Sequence, residues 1–574
     1  MPVSTLSSSG QQHQASQREY YNSQSTDFDF HPPKKCPCWP ISYKITCIKS
    51  KGAILVLVLN FLVLTCIDGA YSILLPPFLK SELQDEQPGV KHAWTLTLVN
   101  IIRAIVYLFY PLAGWLADTF FSRCKTIVTS MWIVFFATLI MTVLISLRYV
   151  FPEDAHYFHQ YIFPFLFVMM TIGLAGFHAN VIPFGTDQLQ DAPGQELIAF
   201  VSWYVWTIFL SRGANFSYNF TCVDVEHELQ VLIRSCAHTV CISLALALYF
   251  LFQHWLTKEP AGGNPLTTVF QVFNYARKHH YARLRSAFTY WWEKEMPSRI
   301  DFAKTKYGGP FSTQQVEDVK TFYRMLTVLV SLLGIITATS ASSNTMGLLA
   351  NHMSIEPKNL AFCLLDSVLD NLPLIFPVLA VPFFHFFVNP FIQNCWPASL
   401  KRVGIGALFY MAAILCAFTL DTIGHTYKPG IPCLFSKDSK SGHIPLDYRL
   451  IVLPSVLSGL ALPISDIAVY EFICAQTPHQ MKGLFIGIYY CVLGLGFALG
   501  FVLVLPFSLH SSTHWPVSCG FWYYLMNALL LLVGFIVFCF TAKCYKQRTR
   551  DDPAYEQANI EAYFERISEN GAVG

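Results

Sequence analysis

One histidine and one asparagine interrupt the apolar run GLAGFHANVIPFGTDQL, residues 173–189, which carries His178 and Asn180 at membrane depth and leaves on Asp187 and Gln188. A polar side chain is costly in hydrocarbon and normally turns to a bundle interior or a wet cavity. The run therefore marks the first place to look for a solute path. Imidazole titrates near neutral pH, so His178 would be either a cation offered in an acidic compartment or a neutral ring hydrogen-bonded inside the bundle. Asp68 lies inside another strongly apolar run. A bare carboxylate there is expensive, so Asp68 would either bind a proton or pair with a cation such as Arg103. Asp366, Asp370, His385 and Asp466 also lie in or near apolar runs. For these four the expectation is ion pairs or helix-end contacts rather than substrate contact.

The frame that must position these groups is legible in composition. The 574 residues are 53% hydrophobic and 13% charged, about half the ~25% charge of soluble domains. Apolar runs of roughly 20 residues, enough to cross hydrocarbon, recur along the whole length. The expected fold class is an all-α polytopic membrane protein. A net charge of +2 implies no nucleic-acid partner. Residues 1–50 are polar and then basic, with no removable signal peptide; they read as a disordered cytosolic tail. The 17 cysteines have no metal-ligand spacing. Cys36-Pro37-Cys38 is too close for the usual two-residue zinc knuckle, so neither metal nor cofactor is expected.

Candidate spans are 53–79, 93–117, 125–148, 161–184, 199–219, 236–256, 321–343, 360–388, 402–423, 450–475, 482–507 and 519–542. Twelve spans put both termini on one side. Basic residues follow the even-numbered spans, among them Arg123, Lys125, Lys258, Arg277, Lys401, Arg402, Lys482 and Lys543. The positive-inside rule then makes the termini cytosolic, although the 4–5 loop with Asp187, Asp191 and Glu196 is an exception. The sequons at Asn215 and Asn219 fall at the opposite mouth of span 5. Cys222 and Cys236 in or beside that loop are either a disulfide or two free thiols. The expected organisation is a tail (1–50), a six-helix bundle (53–256), a cytosolic linker (257–320), a second bundle (321–542) and a tail (543–574). Within the linker, Phe270 to Trp292 mixes aromatic and basic residues as an interfacial amphipathic helix would. Glu317 and Asp318 read as the acidic first turn of span 7.

Six plus six helices around a cytosolic link resemble major facilitator transporters, whose halves rock around a central site. Gly114-Trp-Leu-Ala-Asp118-Thr-Phe-Phe-Ser-Arg123 is similar to that superfamily's loop 2–3 motif, an Asp and an Arg latching the cytosolic side. Asn180-Val-Ile-Pro-Phe-Gly-Thr-Asp187-Gln188 resembles the signature of the proton-coupled oligopeptide transporters, nearest the peptide/histidine transporter branch. Pro297 to Asp301, Tyr307 to Phe311, Gln315 to Lys320, Asn389-Pro-Phe, Leu400 to Gly406 and Glu471 to Gly483 resemble further signatures of the same family.

Departures matter as much. The family's span 1 Glu-x-x-Glu-Arg is here Asn60-Phe-Leu-Val63-Leu64, and Tyr71 stands where relatives carry a further arginine. The span 4 cation becomes His178, the span 5 asparagine Phe209 with Arg212 one turn on, and the span 11 tryptophan Tyr490, while Glu471 in span 10 is retained. The resemblance implies that His178 or Arg212 receives a carboxylate, that Glu471 takes an amine or a proton, and that Tyr71 and Tyr490 shape the pocket. Asp68, His178 and Glu471 are the proton-coupling candidates. The implied activity is secondary active transport of di- or tripeptides, histidine or related solutes by alternating access, with possible proton coupling. The alternatives are an uncoupled facilitator of another solute and a transporter-like scaffold or sensor; no enzyme is implied. The membrane is either the plasma membrane or an endolysosomal one.

Overall fold

The computed structural model describes residues 47–82, 105–151, 156–190, 192, 194–217, 227–279, 298–353, 368, 372–388, 397–427, 446–509 and 519–546. The chain divides into two compact units. Residues 46–385 with 398–574 hold the helical bundle. Residues 1–45 with 386–397 make the other unit, of which 386–388 and 397 are described.

The first six spans are α1 (Lys51–Glu82), α2 (Tyr110–Leu116), α3 (Arg123–Val150), α4 (His156–Asp187), α5 (Gly194–Ser217) and α6 (His227–Phe252). A linker helix follows, α7 (Pro265–Lys278). Span 7 is built from α8 (Thr313–Ser331) and α9 (Leu333–Met353), which meet at Leu332. The remaining spans are α10 (Leu372–Phe383), α11 (Ser399–Tyr427), α12 (Val452–Gln476), α13 (Lys482–Leu509) and α14 (Cys519–Cys544). Among the described residues ten helical stretches are long and apolar enough to cross a membrane, and the shorter apolar segments Ile105–Phe121 and Leu372–Val388 supply the other two positions. The spacing of apolar runs thus matches the described spans, most of which extend a few residues beyond the expected ends; residues 93–104 of expected span 2, and 360–367 and 369–371 of expected span 8, lie outside the described residues.

Packing follows the two halves. α1 lies against α4, α5 and α6, and α3 against α4 and α6; α11 lies against α12 and α14, and α9 against α13 and α14. Four pairs cross between the halves: α2 with α13, α4 with α13, α5 with α10 and α5 with α12. The α2–α13 crossing depends on glycine, because a Cβ on Gly114 would sit 2.1 Å from the Gly483 carbonyl oxygen. In lipid, helices associate through such close backbone approach rather than through hydrophobic drive. The outer faces carry large apolar side chains such as Val143, Leu251, Val533 and Phe540, as hydrocarbon contact requires. The chain is a multi-pass integral membrane protein.

The linker helix begins at Pro265, earlier than the aromatic–basic pattern indicates, because Asn264 caps it by accepting from the Leu266 and Thr267 amides. It buries Val269, Val272 and Ala276 and leaves Phe270 and Phe273 exposed; residues 280–297 of the expected helix lie outside the described residues. The start of span 7 also differs in detail. Ser312 and Gln315 form its capping box, while Glu317 joins a charge cluster instead. Lys304 Nζ lies 2.7 Å from Asp301 Oδ1 and 2.5 Å from Glu317 Oε1, and Lys320 Nζ lies 3.0 Å from Glu317 Oε1 and also reaches Asp301 Oδ1. Burial opposes ionisation of the Asp301 carboxyl, yet hydrogen bonds from Lys304, Lys320 and Ser298 hold it well below the ordinary carboxylate range. The cluster fastens the end of the linker to α8.

Candidate functional site

Tyr490 on α13 is the hub of the bundle's centre. Its ring lies 5.0 Å from His178 on α4, 5.0 Å from Tyr110 on α2 and 6.2 Å from Tyr107, centroid to centroid. Its hydroxyl receives a hydrogen bond from Tyr470 on α12 at 2.8 Å and shares one with Tyr204 on α5 at 3.3 Å. One side chain therefore touches helices of both halves. Buried tyrosines place a large ring in apolar surroundings and need a partner for the hydroxyl, and here Tyr204, Tyr470 and Tyr490 partner one another.

Inside this ring of tyrosines both nitrogens of His178 are shielded from solvent and have no hydrogen-bond partner among the described residues. An unpaired buried polar group costs about 1–3 kcal/mol. No described residue therefore supplies the bond that a structural neutral histidine would make. His178 lies within electrostatic reach of Arg212 on α5. Arg212 has accessible surface of its own, yet Asp68 of α1, Tyr107, and Asp466 and Tyr470 of α12 stand around it. Neighbours from both halves place it between the halves rather than on the outer wall. Asp466 also accepts a hydrogen bond from Tyr489. A cation, two carboxylates from opposite halves and an unpaired imidazole converge here.

The structure distributes the sequence candidates unevenly. It joins His178, Arg212, Asp68 and Tyr490. Among the described residues Arg212 is a cation near Asp68; Arg103 lies outside the described residues. Glu471 is elsewhere, bound by Arg402 of α11 at 2.6 Å, and the α12 acid beside the central cation is Asp466, for which an ion pair had been the favoured expectation. Tyr71 lies on α1, with its side chain outside the described residues. The missing span 1 motif is filled by neutral packing: Val63 and Leu64 are buried, and Asn60 donates to Thr207 Oγ1 of α5 at 2.8 Å. Asn180 is fully buried. Its amide donates to the Gly176 carbonyl at 2.8 Å, and it packs where α4 crosses α13 beside Gly483.

Gly114, Asp118 and Arg123 form the expected latch, and the structure enlarges it. Arg123 reaches Asp118 Oδ1 at 2.9 Å, Asp187 Oδ2 at 2.6 Å and the His479 carbonyl at 2.6 Å, and Asp118 also accepts from the Leu484 amide at 3.0 Å. Lys482 lies 3.6 Å from Asp187 Oδ1 and donates to Thr186 at 3.2 Å. The chain turns back for this through a π turn over Ala117–Phe121 and through Ser122 at φ 67°. The latch ties α2, α3 and α4 to the α12–α13 turn, so this end of the bundle is closed.

At the other end, Asn215 sits in the last turn of α5 with both amide atoms buried, a poor acceptor for a glycan; Asn219 lies outside the described residues. Cys236 is exposed on α6, and Cys222 lies outside the described residues. Composition could not single out Tyr204, Tyr470, Ser122 or Arg402: a tyrosine or serine in an apolar helix carries no signal of its neighbour.

Comparison with known proteins agrees with this architecture. Residues 124–516 match the PTR2 family model, described as the POT family. The chain is similar to rat "Solute carrier family 15 member 3", 23% identical over 521 residues that cover 81% of this chain and 86% of the relative. It is similar to Arabidopsis thaliana "Protein NRT1/ PTR FAMILY 5.14" at 23% identity, covering 79% and 86%, and to human "Solute carrier family 15 member 5" at 22%, covering 75% of each. In fold it resembles an auto-inhibited POT family peptide transporter, with a TM-score of 0.60, 16% identity, and coverage of 88% and 99%. PepTSo, a POT family transporter, also scores 0.60 at 16% identity, with coverage of 89% and 99%. A family match across most of the bundle, on a twelve-span frame latched between two halves, makes this chain a membrane transporter of the POT family and not an enzyme.

Proposed function

We propose that the protein carries small zwitterionic solutes, a dipeptide or tripeptide or histidine, by alternating access around Arg212. The observation that carries this reading is the placement of Arg212 between Asp68 of the first half and Asp466 of the second, beside the unpartnered nitrogens of His178. A guanidinium is the natural receiver of a carboxylate. The two aspartates offer a substrate amine its counter-charge. Among the described residues one cation faces two carboxylates, a formal charge of −1, which a proton or an extra cationic group on the solute would neutralise. Proton coupling would then run through Asp68, Asp466 or His178. Glu471 belongs to the scaffold on this reading, since Arg402 already occupies it.

The second reading is an uncoupled facilitator, favoured by the neutral packing of Asn60, Val63 and Leu64 where the family's coupling motif would stand. The basic end of the bundle, with both tails, is assigned to the cytosol. Uptake of labelled histidine and a labelled dipeptide into vesicles, at outside pH 5.5 and 7.5 and with or without an uncoupler, separates the readings. Acid-stimulated uptake that an uncoupler abolishes supports coupling; uptake indifferent to the gradient supports the facilitator. No uptake of either solute by folded protein would overturn the substrate assignment.

A further inference from the structure

We propose that Asp187, Glu259 and His479 form a binding site for a divalent transition metal, Zn²⁺ foremost, that staples the latched end of the bundle. Asp187 ends α4, Glu259 lies in the segment after α6, and His479 lies in the turn between α12 and α13. Each offers one ligand atom, and these atoms all lie within 4.8 Å of one another. His479 Nε2 is 3.0 Å from Glu259 Oε2 and 3.5 Å from Asp187 Oδ1. Zinc bonds to nitrogen and oxygen are about 2.0–2.2 Å, so donors of a tetrahedral shell stand roughly 3.3–3.6 Å apart. The pair with Asp187, at 3.5 Å, falls within that spacing, and the pair with Glu259, at 3.0 Å, must open slightly to admit an ion.

Asp187 supplies the independent indication. Its side chain is 2% exposed. Arg123 takes Oδ2, while Oδ1 is buried, has no hydrogen-bond partner among the described residues, and lies 3.5 Å from His479 Nε2 and 3.6 Å from Lys482 Nζ. The three residues line one cavity of about 40 Å³, with Asp118, Arg123 and Gln480 on its walls, and a water needs only about 10–15 Å³ by that measure. An ion and a completing water fit. Charge favours a cation as well. Asp118, Asp187 and Glu259 face Arg123 and Lys482, three carboxylates against two cations, which leaves −1 before His479 is counted. An imidazole with two carboxylates suits Zn²⁺ and its neighbours in the first transition row rather than Ca²⁺ or Mg²⁺. On binding, Lys482 gives up Asp187 and keeps Thr186. Gln190, which hydrogen-bonds Glu259, supports that ligand from outside, and its 3.2 Å contact with His479 Nε2 gives way when that nitrogen takes the metal.

A bound metal would join the two halves, Asp187 and Glu259 on one side and His479 on the other, and hold this end shut. That consequence rests on alternating-access transport; the binding itself does not. The test uses the full chain purified without a histidine tag, titrated with Co²⁺ as a spectroscopic probe and then with Zn²⁺. Expected are one saturable Co²⁺ site with tetrahedral absorption bands, displacement by Zn²⁺, a higher melting temperature with Zn²⁺, and at least about tenfold weaker binding in Glu259→Gln and in His479→Gln. Both positions are partly exposed, so both variants fold. In proteoliposomes Zn²⁺ should slow uptake reversibly in the parent and not in His479→Gln. A titration with no saturable site, or a site that neither substitution weakens, overturns the proposal. Metal binding that persists in a protein showing no uptake would instead count against the transport reading alone.

Discussion

Tyr490 and His178 face each other across the two halves of the bundle, their rings 5.0 Å apart, and while the Tyr490 hydroxyl is engaged twice, neither ring nitrogen of His178 has a hydrogen-bond partner among the described residues. Tyr490→Phe keeps the ring contacts and removes the hydroxyl that Tyr204 and Tyr470 share. Each lost bond is worth about 1 kcal/mol net, so the variant should melt a few degrees lower and carry solute several-fold more slowly. Unchanged melting and uptake would show that the tyrosine network contributes neither stability nor shape.

Arg212 is the centre of charge. Arg212→Gln leaves Asp68 and Asp466 without their cation, and a hydrogen bond to a charged group is worth about 1.5–3 kcal/mol. Uptake should fall by roughly tenfold or more, tenfold being 1.4 kcal/mol, with Arg212→Lys intermediate. Asp68→Asn or Asp466→Asn should abolish acid stimulation if that carboxylate carries the proton. Acid stimulation surviving in both variants would remove the aspartates from the coupling path.

Ser122 holds φ 67° and ψ 146° at the bend between α2 and α3, and its side chain caps nothing there. A non-glycine residue in that region costs of order 1–3 kcal/mol. Ser122→Gly should therefore raise the melting temperature while leaving the Arg123–Asp118 pair intact. Gly114→Ala should do the opposite, because its Cβ collides with the Gly483 backbone. A lower melting temperature for Ser122→Gly would contradict the strain argument.

The Asp301 cluster gives a pH signature. Because its folded-state pKa is lowered, Asp301 contributes stability that is present above the ordinary carboxylate pKa and is lost as pH falls through the folded value. Lys304 is raised: burial opposes its charge, but Asp301 and Glu317 outweigh burial, so its contribution fades only as pH rises through its folded value. Asp301→Asn should cost about 2 kcal/mol near neutral pH, and its melting curve should converge on the parent's in strong acid. A gap that stays constant down to that range would refute the linkage.

Glycan attachment should depend on Asn219. Asn219→Gln is expected to abolish any glycosidase-sensitive mobility shift, and Asn215→Gln to leave it, since the Asn215 amide is buried in helix α5. The reverse pattern would mean that the end of α5 opens during synthesis.

Sequence by itself indicated the spans, because crossing about 30 Å of hydrocarbon demands some twenty apolar residues wherever they fall; it marked His178 and Asp68 by the cost of charge in such runs, and the Asp118–Arg123 latch by its resemblance to the loop 2–3 motif of major facilitator transporters. It could not say what these groups face. The helix around His178 is apolar on all sides, so hydropathy does not set its rotation about its own axis. Only the packing shows that Arg212 meets Asp68 and Asp466 while Arg402 takes Glu471, and that Glu259 and His479 close on Asp187. These pairs join helices remote in the chain, and their partners follow from helix rotation and from close approach at Gly114 and Gly483, which are properties of the assembled bundle.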